Sequence, residues 1–177
     1  MFFRKDESLE RAKKLIQVTS LEENLAFFKA KQSAIKVPAR EVLKWVLAMS
    51  ACNLVRTMKV EFVAAKIPAE DQQDVIDDYV VESLRRQKLL KLKDGAEQME
   101  MCQEILKATV ELENFWLKGD DDPNSPGPRY YCVKEVLRRL GDEKNFDLHD
   151  ALFEFMYLQY KHFLDYFRSF LQDPAIS

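Results

Sequence analysis

Between Pro38 and Met58 almost every position is apolar, broken only by Arg40, Glu41, Lys44, Ser50, Asn53, Arg56 and Thr57. A helix exposed on one side would show a polar face at a period of 3.6 residues. An apolar surface nearly all the way round describes a helix enclosed by its neighbours. The segment 38–60 is therefore expected at the centre of the fold, with Trp45 in the core and Asn53 buried among partners.

The remaining periodicities predict helices over about 6–18, 20–35, 69–93, 96–118, 130–140 and 147–172. Ser20-Leu-Glu-Glu23 has the form of a capping box, in which hydroxyl and carboxylate satisfy each other's backbone donors. Lys36-Val-Pro-Ala-Arg-Glu41 and Lys66-Ile-Pro-Ala-Glu-Asp71 start alike. Both place proline at the first helical position, where its missing N–H is harmless, and carboxylates at the positive end of the helix dipole. Beyond that start the two blocks share little, and two copies do not make a stacked repeat. Gly95, Gly119 and Gly141 each follow a helical pattern and are expected to close helices in the left-handed conformation. The stretch "GDDDPNSPGPR", 119–129, is read as an exposed acidic, proline-rich loop. The expectation is an all-α protein, a single domain over 1–177 with six to seven helices, a central apolar helix (38–60) and a long aromatic C-terminal one (147–172).

That C-terminal helix holds nearly half of the chain's aromatic residues. At about 100° per residue, Asp147, Asp150, Glu154, Lys161, Asp165, Arg168 and Gln172 fall in one stripe, and almost everything else is apolar. The apolar arc is about twice what one core contact needs. Either neighbours sandwich the helix, or part of it meets another protein. On the second reading Tyr157, Tyr160, Phe163, Leu164, Phe167 and Phe170 form the partner face, opposite Phe155, His162 and Tyr166.

Composition narrows the alternatives. With 177 residues, 47% hydrophobic and 32% charged, the chain suits one globular domain. A net charge of −3 gives no general attraction to nucleic acid or anionic membrane. Cys52, Cys102 and Cys132 lack metal-ligand or framework spacing and read as reduced core thiols, which suits the cytoplasm. No apolar run is long enough for a membrane span. His149 and His162 do not form the Glu-x-x-His pairs of a di-metal bundle, and His162 with Asp165 offers only two ligands. Counting from Asp120, the glycine and glutamate positions of a calcium loop hold Ser125 and Tyr131. No nucleophile with an adjacent base and no phosphate-binding glycine loop is visible. Catalytic, cofactor and metal residues are thus expected to be absent.

The expected function is non-enzymatic: an adaptor, immunity-type or accessory protein that binds another protein or a second copy of itself. One alternative is a winged-helix DNA-binding regulator, with 88–100 as a β-hairpin and Arg85, Arg86, Lys88, Lys91 and Lys93 facing phosphate. Against it, the front of the same helix carries Glu70, Asp71, Asp74, Asp77 and Asp78, which DNA would repel. The other alternative is a bundle with an apolar ligand pocket.

Overall fold

The computed structural model describes residues 37–171, apart from 88, 89, 122 and 125, together with Lys14. Apart from Lys14, which is helical, the helices expected at 6–18 and 20–35 lie outside these residues. Among the described residues there are five long helices and one single turn, with no strand: α1 (Ala39–Met58), α2 (Glu61–Ala64), α3 (Ala69–Arg86), α4 (Gly95–Asp121), α5 (Pro128–Arg139) and α6 (Phe146–Leu171). The all-helical bundle is as expected, and the five long helices among the described residues are fewer than the six to seven expected for the chain.

α1 sits at the centre, packed against α3, α4, α5 and α6. From Trp45 to Leu54 every side chain is buried. Ion pairs set its direction relative to α4. Arg40, at its start, reaches Glu104 at 3.1 Å and Glu100 at 3.3 Å near the start of α4. Arg56 at its end reaches Asp120 at 3.1 Å, and Lys59 just beyond pairs with Glu113. The two helices therefore run side by side in the same sense. Asn53 finds partners for its amide nitrogen, while its buried Oδ1 has none among the described residues. Its Nδ2 donates to the Met156 carbonyl at 2.8 Å and to Gln159 Oε1 at 3.1 Å. Gln159 Nε2 in turn donates to Ser50 Oγ at 2.9 Å. This chain joins α1 to α6 through the core, and an unmatched register would strand several buried polar groups.

Three boundaries differ from the sequence reading, each for a local reason. Helix α3 stops at Arg86, not 93. Gln87 adopts an extended backbone, and its amide both donates to the Leu90 carbonyl (2.8 Å) and accepts from the Leu90 N–H (2.9 Å). A side chain thus takes the place of the next helical turn. Gly95 opens α4 and does not close α3, because Asp94 Oδ1 caps the N–H of Glu97 at 2.9 Å while Glu97 reaches back to the N–H of Lys93. Residues 95–100 are accordingly helix and not the arm of a hairpin. The expected loop 119–129 is shorter than its composition suggests, since Gly119, Asp120 and Asp121 continue α4 and Pro128 and Arg129 begin α5.

Gly119 is buried inside a helix for a steric reason. A Cβ there would stand 2.5 Å from the Cα of Pro128 and 2.9 Å from the Tyr131 ring. Alanine normally improves a helix interior by up to about 1 kcal/mol over glycine. Here the clash is with backbone, and Gly119→Ala is expected to lower stability by about 1–3 kcal/mol, read from urea midpoints. A stabilised variant would mean that α4 and α5 do not approach so closely. Gly141 behaves as expected. With φ of 69° it ends α5, its N–H bonding Arg138 O and that of Asp142 bonding Leu137 O.

Candidate interaction surface on the C-terminal helix

Asn145 Oδ1 accepts the N–H of Leu148 at 3.1 Å and so starts α6 at Phe146. From there the buried face runs Leu148, Leu152, Phe155, Met156, Gln159, Phe163 and Phe167. Spacings of three, four and seven mark one side of a helix. Phe163 meets Tyr79 of α3 edge to face at 5.9 Å. Of the six residues expected on a partner face, Phe163 and Phe167 therefore belong to the core, both fully buried. Tyr157 is 50% exposed, and Tyr160, Leu164 and Phe170 are half-buried. The expected opposite group divides as well: Phe155 is buried, Tyr166 half-buried and His162 exposed. The pivot is Gln159. Its bonds to Asn53 and Ser50 turn toward α1 the arc that contains Phe163 and Phe167.

The side of α6 left outside carries Phe146 (76% exposed), Phe153, Tyr157, Tyr160 and Leu164. Helix α5 lines its edge. His149 stacks on Phe153 at 6.4 Å with the rings nearly parallel, and Tyr130 meets His149 at 4.9 Å. Arg129 lies over Tyr160 at 4.3 Å and over Trp116 at 5.1 Å. Its buried Nε has no hydrogen-bond partner among the described residues, and burial pulls the guanidinium below its ordinary pKa. The aromatic rings supply part of the stabilisation that water would otherwise give this cation. Arg129 was not singled out by sequence reasoning, since its position beside Trp116 and Tyr160 depends on three helices meeting.

Elsewhere the charged groups serve the fold. Glu82-Ser-Leu-Arg85-Arg86 and Glu135-Val-Leu-Arg138-Arg139 repeat one arrangement, a nearly buried glutamate gripped by arginines three and four residues on. The hydrogen bond from Arg85 holds Glu82 below the ordinary carboxylate range against the opposing effect of burial, and Arg138 does the same for Glu135. Arg85 and Arg86 are thus committed to a carboxylate. All three cysteines are free and buried. Cys52 and Cys132 meet in the core, where their mutual hydrogen bond, followed by burial, raises the Cys52 thiol well above its ordinary value. A thiol so protonated is a poor nucleophile.

A half-open groove of about 280 Å³ lies between α1, α3 and α4, lined by Val55, Ile76, Leu106 and Val110 together with Gln72, Gln73, Lys59 and Glu113. Its ion pair and amides make it a mixed surface rather than an apolar pocket. Among the described residues there is no group of three or more His, Cys, Asp or Glu able to hold a metal ion. No described helix is long and apolar enough to cross a membrane. Comparison with family models, with characterised proteins and with solved structures finds no match to this chain.

Proposed function

We propose that this protein is a non-enzymatic helical interaction module that binds a protein through the outer aromatic face of α6. The observation that carries the reading is the exposure of Phe146 and Tyr157, at 76% and 50%, on a helix whose opposite face closes the core. Aromatic side chains give large contact area with few rotatable bonds, and tyrosine tolerates water before a partner arrives. Arg129 adds a cation already stacked between Trp116 and Tyr160 at the edge of that face. Rigid aromatic and arginine anchors of this kind dominate binding energy at protein interfaces.

The test compares partners retained by the wild-type chain with those retained by Tyr157→Glu. The substitution lies on the exposed side and should leave the melting temperature within a few degrees, as surface changes usually do. The expected result is a folded protein that has lost its bound protein or its self-association by at least about tenfold. A Val110→Glu variant on α4, also exposed, controls for added charge and should retain binding. Unchanged binding by Tyr157→Glu sinks the proposal.

A further inference from the structure

The outer side of α6 carries a heptad. Phe146, Phe153, Tyr157, Tyr160, Leu164 and Leu171 are spaced seven, four, three, four and seven residues apart, each exposed or half-buried. That is the two-position seam of a helix pair, with Asp150 and Phe167 at its remaining positions. Phe167 turns inward to the core, so the seam is open at that level and Asp150 there faces solvent. The residues that directly follow the seam positions along one edge are Asp147, Glu154, Lys161 and Arg168, seven residues apart and all exposed, with Asp165 beside them pairing to Arg168 at 3.6 Å. In chain order the four read negative, negative, positive, positive.

Such a pattern is self-complementary when reversed. We infer that α6 pairs with α6 of a second copy of this chain, antiparallel about a two-fold axis between Tyr157 and Tyr160. In that register Tyr157 meets Tyr160 of the second copy, Phe153 meets Leu164, and Phe146 meets Leu171. The apolar layers then fix which edge residues face each other. In an antiparallel pair the same edge of each helix is apposed, one step displaced from the layers. Asp147 falls opposite Arg168 of the second copy and Glu154 opposite Lys161. The two-fold axis doubles each pair, giving four attractions and no like-charge pair among these four positions. A parallel arrangement would set the same charges against the other edge, where Met156 and Phe163 are already buried in the domain. The self-complementary charge order thus selects both the occupant and its direction.

This inference rests on the interaction-module reading and specifies its partner. The test is sedimentation velocity of the full chain across a concentration series, with Glu154→Lys and the double variant Glu154→Lys with Lys161→Glu. Both side chains are exposed on α6, so the fold is expected to survive each change. The wild type should sediment as a dimer. Glu154→Lys turns two attractive contacts into repulsions and should weaken the dimer by about tenfold or more. The double variant reverses both members of each pair and should return affinity to within about threefold of wild type. Salt near 1 M should weaken the wild-type dimer, because these pairs lie at a solvent-exposed rim. A wild type that stays monomeric overturns self-pairing, while a different protein released by Tyr157→Glu would still uphold the interaction module. A dimer whose double variant is as weak as Glu154→Lys overturns the antiparallel register.

Discussion

Replacing Phe167 by glutamate is expected to unfold the protein. The ring is fully buried on the inner face of α6, one turn beyond Phe163, which meets Tyr79 of α3 edge to face. Removing a buried phenylalanine costs about 3–5 kcal/mol through lost transfer energy and the cavity left behind. Glutamate adds a carboxylate in apolar surroundings. It must either stay ionised at a further cost of several kcal/mol or take up a proton from neutral solution. A domain of this size is stable by about 5–15 kcal/mol, so the sum removes most or all of the margin. Tyr157→Glu, ten residues earlier and half-exposed, carries the same new charge and is expected to melt close to wild type. Circular dichroism melts of the two variants are the measurement. A native, cooperative melt for Phe167→Glu within a few degrees of wild type would mean that α6 is turned the other way.

The contrast between those two positions marks where the sequence stops being informative. That 146–171 is helical follows from its period and length alone. Which arc of it is buried is only partly legible: the stripe from Asp147 to Arg168 faces away from the buried arc, but aromatic residues occupy both flanks and period carries no preference among them. What decides the orientation is Gln159, a polar residue inside the buried arc, and its partners Asn53 and Ser50 lie on α1 in a distant part of the chain. Local pattern does not report a pairing over that separation. The same limit explains the ends of α3 and α4. The stretch "QKLLKLK" has good helical propensity, yet Gln87 bonds both backbone groups of Leu90 and diverts the chain. Gly119 was legible as a special glycine but not as a contact point, since the backbone it accommodates belongs to Pro128 of the next helix. The central place of α1 was fully legible. Apolar residues on nearly every side leave such a helix no other stable position in water.

Trp45→Ala tests that central helix at its most expensive side chain, and it is expected to destabilise the protein by about 3–5 kcal/mol. Trp45 is 4% exposed and lies in the unbroken buried run of α1. Its ring is covered by Arg139 of α5 at 5.0 Å and by Lys44 at 5.3 Å. Arg139 is itself held by Glu135 at 2.6 Å and by Glu111 of α4 at 3.3 Å. The indole therefore forms the floor on which a cation linking α1, α4 and α5 rests. Truncation removes that floor together with the packing, and three helices lose a shared contact. Trp45→Phe keeps an aromatic face beneath the guanidinium and should recover a large part of the loss. Urea unfolding of both variants separates the cavity from the cation–aromatic contribution, the latter being about 0.5–1 kcal/mol at such partly exposed sites. A loss below about 1 kcal/mol for Trp45→Ala would show that the ring is not part of the core. Equal losses for alanine and phenylalanine would instead show that the core tolerates no change of shape at this position, and that Arg139 adds nothing to it.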